Sequence, residues 1–252
     1  MAPLTLHYQP IFQRDTKAIL YYEALLRSHS QSTPDLFRQA ERRQSRIPLE
    51  REALRIVLQD LESGHLRNRP FGINISPLAL CEDQASWRIL LRLARNQTFF
   101  LEITEDLPVH DLRRYRERLE KLAAYGVALV RDDLGCGHAH LTDMFEYPFH
   151  YAKLDQRYFH WWFPRTLAEQ KRRAQLEALI QLMRQQSCYI IQEGIEKPLS
   201  PVLLGQIPDS IQGFQGFSLG HPAREPWPSA LIHPTTPKRK AREDIPQPFP
   251  LS

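Results

Sequence analysis

The side chains able to do chemistry in this chain are mostly acids and amides standing at the ends of short apolar runs. Asn74 closes one run, Glu102 lies in the next, Asp132 and Asp133 end a third, Lys153 and Asp155 a fourth, and Glu193 a fifth. Glu23 sits inside an earlier run and Gln215 follows the last. Singly, each has a structural use: Asn74 before Ser76 and Pro77 can cap a turn, Glu102 can pair with an arginine, and Asp132 with Asp133 can cap a helix. Together they converge if the runs are successive strands of an α/β barrel, because such barrels build their sites at the carboxyl-terminal mouth. Carboxylates gathered there repel one another unless cations join them. Carboxylate and amide oxygens are hard ligands suited to magnesium or manganese, and the histidines and cysteines lack the spacing of a structural zinc site.

The elements needed to position these groups are legible as an alternation of strand-length and amphipathic stretches. Candidate strands cover 4–12, 18–26, 71–75, 99–103, 127–132, 149–154, 189–191 and 210–214. The first two flank Gln13-Arg14-Asp15-Thr16-Lys17, a turn too short for a helical crossover, so they should form an antiparallel hairpin. Helical pattern covers 34–43, 48–62, 84–95, 111–125 and 166–186, the first two opening with proline near the first turn. In the second, Leu49, Ala53, Leu54, Val57, Leu58 and Leu61 mark the apolar face, and Gly126 is placed to end the helix that starts at 111. Strand, helix, strand repeated this way predicts parallel crossovers, hence a modified TIM (β/α)8 barrel with an antiparallel opening strand.

Composition narrows the function classes. The 252 residues carry 33 Lys plus Arg against 29 Asp plus Glu, a formal charge of +4, with a pI near 9.0. Acids and bases are interleaved, which argues against a nucleic-acid binder. No uninterrupted apolar run reaches membrane-spanning length and no leader pattern opens the chain, so a cytoplasmic protein is expected. Cys81, Cys136 and Cys188 are odd in number and widely spaced, as reduced and mostly buried thiols would be. The barrel is expected to occupy 1–233. From Pro234 to Ser252 prolines crowd together around the basic run Lys238-Arg239-Lys240-Ala241-Arg242, reading as a disordered tail without a core.

Several segments resemble the motifs of the EAL domain family of cyclic di-GMP phosphodiesterases. They are Tyr8-Gln9-Pro10-Ile11, Glu23-Ala24-Leu25-Leu26-Arg27, Asn74-Ile75-Ser76, Leu101-Glu102-Ile103-Thr104-Glu105, Asp132-Asp133-Leu134-Gly135, Lys153-Leu154-Asp155, Glu193-Gly194-Ile195-Glu196 and Gln215-Gly216-Phe217. They follow in family order across roughly residues 4 to 224. The resemblance implies a barrel with one antiparallel strand and hydrolysis of cyclic di-GMP to linear pGpG with two divalent ions, magnesium or manganese. It assigns Glu23, Asn74, Glu102 and Asp132 to one ion and Asp132, Asp133 and Glu193 to the other, with Lys153 at the attacking water. Neighbouring cations would depress the pKa of Lys153, whose alternative role is a salt bridge to Asp155. Gln9, Leu25, Arg27, Asp155, Glu196 and Gln215 would surround the nucleotide, Arg27 donating two parallel hydrogen bonds to a phosphate. Glu105 would anchor the loop after Asp133 and support a homodimer. A bacterial cytosol with biofilm and motility control is the implied context. The family motif begins within ten residues of the start, so no attached sensor domain is expected and regulation would come from expression, partners or oligomerisation.

The chain departs from the family after the paired aspartates. An aromatic residue and two serines are replaced within Leu134-Gly135-Cys136-Gly137-His138-Ala139-His140-Leu141. Loss of these residues would loosen the loop or make it pH-sensitive through His138 and His140, unless both are simply solvated. This motivates the alternative of a catalytically impaired receptor or protein-interaction adaptor. Arg131 and Gln192 are further departures, standing where the family has apolar or small residues before metal carboxylates. Strand alternation turns Arg131 away from the Asp132 side towards the helices, where it needs a partner. Deleting the residues beyond Pro234 is expected to leave nucleotide turnover unchanged; a large loss of rate would show that the tail supports the barrel or its dimer.

Overall fold

The structure is a computed structural model that describes residues 3–104, 111–134 and 143–226. The opening hairpin pairs β1 (Leu4–Gln13) antiparallel with β2 (Ile19–Ser28), setting Gln9 opposite Glu23. Next come α1 (Thr33–Arg42), α2 (Arg46–Glu62) and β3 (Phe71–Ile75), then α3 (Pro77–Glu82), α4 (Gln84–Asn96) and β4 (Phe100–Ile103). The chain continues through α5 (Leu112–Ala124), β5 (Ala128–Leu134), α6 (Asp143–Glu146) and β6 (Tyr151–Leu154). A 3-10 segment (Gln156–Trp162), α7 (Leu167–Gln185), β7 (Tyr189–Gln192), α8 (Pro201–Leu204) and β8 (Ile211–Phe214) complete the order.

The eight strands close into a barrel in sequence order. β1 runs antiparallel to both neighbours, β2 and β8, and the remaining pairs are parallel. The expected modified barrel is therefore present. Gly126 ends α5 in the left-handed region, with φ 86°. α2 begins at Arg46, so Pro48 stands third in the helix rather than first, still within the turn whose N–H groups lack partners. The sequence reading has no counterpart for α3, α6, the 3-10 segment or α8. Each has seven residues or fewer, too few for an apolar period to show. Glu105, the loop residues 135–142 with Cys136, His138 and His140, and the proposed tail from Pro234 lie outside the described residues.

Helix ends are held by short polar side chains. Ser32 accepts from the Asp35 N–H, Asp83 from the Ser86 N–H, and Thr166 with Glu169 forms a reciprocal capping box on α7. Arg51 also places two hydrogen bonds on Asp83, at 2.7 and 2.9 Å, tying α2 to the start of α4. Cys81 and Cys188 are buried free thiols, as expected.

Two apolar layers result. The larger lies between the strands and the helices. The smaller fills the barrel itself with Ile11, Leu20, Tyr21, Phe100, Ala128, Val130, Tyr151 and Ile191. Tyr21 stacks on Phe100 at 4.0 Å between ring centroids. This plug leaves no room at Gly72, where an added Cβ would stand 2.6 Å from the Tyr21 ring and 2.8 Å from Glu102 Oε1. Gly72→Ala is accordingly expected to cost about 1–3 kcal/mol in urea unfolding through overpacking. Gly205→Ala, whose nearest contact would be 3.4 Å, should cost far less, and equal losses would contradict the packing account.

Candidate active site

Alternation along the strands lifts a polar layer directly above the apolar plug. Two residues beyond Tyr21, Phe100, Val130, Tyr151 and Ile191 stand Glu23, Glu102, Asp132, Lys153 and Glu193, on the same side of each pleat. Because β1 runs the other way, Gln9 lies two residues before Ile11 and joins the same layer. Asn74 stands two residues after Gly72, and Gln215 two after Gly213.

Consecutive strand residues ordinarily face opposite sides, which would send Asp133 away from Asp132. The ladder between β5 and β6 instead shifts register between Arg131 and Leu134, and Asp133 adopts φ 46°. Aspartate tolerates this left-handed conformation better than most residues. The outcome is that Asp132, Asp133 and Glu193 each present a carboxylate oxygen within 4.8 Å of the others.

Lys153 occupies the centre and is 1% exposed. Its Nζ lies 2.8 Å from Glu102, 2.8 Å from Glu193, 3.1 Å from Asp132 and 3.2 Å from Glu23. Asp155 is not among its partners; that carboxylate accepts from the Arg157 backbone N–H and Nε at 2.7 and 2.8 Å, so the salt bridge considered between Lys153 and Asp155 is replaced. One ammonium cannot neutralise four acids, and their acidities record the deficit. Burial, followed by repulsion from Glu23, holds Glu102 well above the ordinary carboxylate range. Burial also raises Asp132 and brings Glu193 up to about 7. For Glu23 the same burial is outweighed by Lys153 and by hydrogen bonds from Gln215 and Asn74, leaving it lowered. Burial depresses Lys153, but Asp132, Glu102, Glu193 and Glu23 together prevail, so these acids raise its pKa well above the ordinary lysine value.

A network of amides braces this ring. Asn74 Nδ2 donates to Glu23 Oε1 at 2.7 Å, and Gln215 Nε2 donates to Glu23 Oε2 at 2.6 Å and Gln9 Oε1 at 3.2 Å. The buried oxygens Asn74 Oδ1 and Glu102 Oε1 have no hydrogen-bond partner among the described residues. Buried acceptors left in this state are costly, and oxygen-only donors of this kind fit a hard divalent cation.

Two hollows flank the ring. One, of about 380 Å³, is lined by Leu25, Arg27, Phe37, Arg46, Asn74 and Asp133 among others. Arg27 Nη1 is already braced there by Leu26 O at 2.9 Å and Thr33 Oγ1 at 3.1 Å. The other, of about 270 Å³, is lined by Gln9, Asp155, Glu193, Glu196, Gln215 and Phe217 among others. The sequence-derived substrate residues are thus divided between two compartments that meet at Asp133.

Glu50 was not anticipated. It is buried, accepts from Ser76 N–H and Oγ at 3.0 and 2.8 Å, and pairs with Arg46 at 2.6 Å, fixing the turn after Asn74. A signal existed: Glu50 falls three, four and seven residues before Ala53, Leu54 and Val57, on the face that α2 buries.

A closed barrel with a reversed first strand and an acid-rich carboxyl-terminal mouth defines a modified TIM-barrel protein. The chain belongs to the EAL domain family, whose model matches residues 3–222. It is 27% identical over 233 residues to the bifunctional diguanylate cyclase/cyclic di-GMP phosphodiesterase MucR of Pseudomonas aeruginosa, covering 87% of this chain and 33% of that protein. It is also 27% identical over 231 residues to the cyclic di-GMP phosphodiesterase NbdA of the same organism, covering 87% and 29%. The chain therefore spans about a third of the length of these relatives. Among solved structures, the MucR phosphodiesterase in complex with cyclic di-GMP superposes with a TM-score of 0.69 at 24% identity, covering 87% of this chain and 96% of that one. Klebsiella pneumoniae BlrP1 with manganese and cyclic di-GMP gives 0.68 at 21% identity, covering 88% and 56%. These structural likenesses establish the shared fold. No helix among the described residues is long and apolar enough to cross a membrane.

The raised carboxylates predict a pH effect of definite sign. With divalent ions chelated, the folded chain retains protons that the unfolded chain releases as pH rises from about 4.5 to about 7, the interval spanned by Glu193. Stability should fall across that window, and Glu102 and Asp132 act in the same sense. Glu23, being lowered, acts oppositely but below the window, while Lys153 stays charged throughout. Urea unfolding at pH 5 and pH 7.5 in a chelator checks this, and a gain in stability with rising pH would contradict it.

Proposed function

We propose that the chain is a cyclic-guanylate-specific phosphodiesterase, a hydrolase that opens cyclic di-GMP to linear pGpG with magnesium or manganese. The observation that supports it most is the ring of buried Glu23, Glu102 and Asp132 and half-buried Glu193 around Lys153, with Asn74 Oδ1 and Glu102 Oε1 lacking hydrogen-bond partners among the described residues. The family and its cyclic di-GMP phosphodiesterase relatives supply the substrate class.

On this reading Glu23, Asn74, Glu102 and Asp132 would hold one ion, and Asp132, Asp133 and Glu193 would hold the second. Divalent ions bound there lower the pKa of a water and favour the phosphate that gains charge during attack. The protein's own contribution is positioning. Lys153 holds a proton on Nζ and orients the attacking water by donating to it, which requires the ammonium to exchange carboxylate partners for solvent. Arg27 meets a phosphate in the larger hollow, Leu25 lines its wall, and Gln9, Asp155, Glu196 and Gln215 receive the other half of the ligand. Two compartments joined at Asp133 suit a ligand with two bases around a central phosphate ring. A cytoplasmic homodimer is the proposed working form.

The departures at 134–141 favour a second reading, a receptor or adaptor that has lost turnover. A single assay separates the two. Purified chain with magnesium or manganese is expected to convert cyclic di-GMP to pGpG, and Glu23→Ala or Lys153→Ala to abolish turnover, a fall of at least about a thousandfold for machinery that acts as a unit. Tight nucleotide binding without product would establish the receptor, and neither binding nor product the adaptor.

A further inference from the structure

Barrel residues that face the helices are ordinarily apolar, yet Arg131 and Gln192 are buried there at 2% and 0% exposure. Each immediately precedes an acid of the mouth, Asp132 or Glu193. Each is also paired with the last residue of the preceding strand: Ile103 with Arg131, and Leu154 with Gln192. At this height β4 and β6 end, and carbonyls at and beyond the ends can take further donors, Leu154 O already accepting from the Glu193 N–H at 3.1 Å.

Both side chains supply them. Arg131 Nη1 donates to Ile103 O and Thr104 O, each at 3.3 Å, while its guanidinium lies 6.0 Å from the Phe149 ring centroid. Gln192 Nε2 donates to Glu193 O at 2.9 Å, Leu154 O at 3.3 Å and Asp155 O at 3.4 Å. Trp162 Nε1, fully buried, donates to Gln192 Oε1 at 2.8 Å. Indole is a donor only, so it fixes which end of the amide faces the carbonyls.

We propose that Arg131 and Gln192 are positioning residues that clasp adjacent strand ends and so set the spacing of the cation-binding acids. Arg131 holds the end of β4, with Glu102, against Asp132. Gln192, oriented by Trp162, holds the end of β6, with Lys153, against Glu193. The inference rests on the cation reading of the site, because the spacing matters only if those oxygens must meet a common ion. Both would act through the backbone carbonyls they hold rather than as ligands.

Mn2+ uptake by the full chain without nucleotide, read from the electron paramagnetic resonance signal of the free ion, tests the clasp independently of turnover. Gln192→Leu and Arg131→Met are expected to weaken Mn2+ binding by about 10–100-fold, as loss of residues that orient ligands does. Arg131→Lys, which keeps a cationic donor, should lose less than Arg131→Met. Trp162→Phe, which frees the amide to turn over, serves where Gln192→Leu fails to fold and should also weaken binding. Ile190→Val, an outward-facing core lesion on the same strand, controls for general loss of stability and should stay within about twofold of wild type. Wild-type uptake with unchanged affinity in Gln192→Leu and Arg131→Met, or an equal loss in Ile190→Val, would overturn the clasp alone. Absence of uptake by the wild type would overturn the cation reading and the clasp with it.

Discussion

Three buried carboxylates and a half-buried fourth share one buried ammonium at the mouth of this barrel, and the rest of the structure is arranged around that imbalance. Charges of one sign cannot be packed together in a poorly solvated space without protons or cations to offset them. Raised pKa values of Glu102, Asp132 and Glu193 are one expression of the constraint, and oxygens on Asn74 and Glu102 without hydrogen-bond partners among the described residues are another. Both would be relieved by hard divalent ions, so the strain of the isolated chain and its proposed chemistry have a common origin.

The barrel supplies the rigidity this requires. Tyr21, Phe100, Val130 and Tyr151 close the interior beneath the acids, so the polar layer has a dry floor and opens only towards the mouth. The reversed first strand brings Gln9 to the same height as Glu23 and links it to Gln215, which a parallel strand starting at the same point would not do. The register shift in β5 gives two adjacent aspartates a common direction. Outside the mouth, Glu50, Arg131 and Gln192 secure the turns and strand ends that carry the site.

Much of this was legible in the sequence. The eight strands, the hairpin and the long helices follow from periodicity and linker length, and the polar layer follows from where the strands stop. Motif order added the family, since no local rule distinguishes a catalytic Glu102 from an arginine-paired one. What escaped had physical causes. Helices such as α3 and α8 are shorter than the period that would reveal them. The convergence of Asp132 and Asp133 depends on a positive φ that contradicts simple alternation. Arg131 was read correctly as facing the helices, but Ile103 O and Thr104 O, to which it donates, are backbone carbonyls, which leave no mark in a sequence.

The account stands on capture of divalent ions by the acid ring, and metal content measures that most directly. After equilibrium dialysis against Mn2+ with cyclic di-GMP present, the chain should retain two ions per molecule, and Asp132→Asn, which alters the ligand proposed to serve both sites, should retain fewer. Retention of no ion by the wild type, or equal retention by Asp132→Asn, would contradict it.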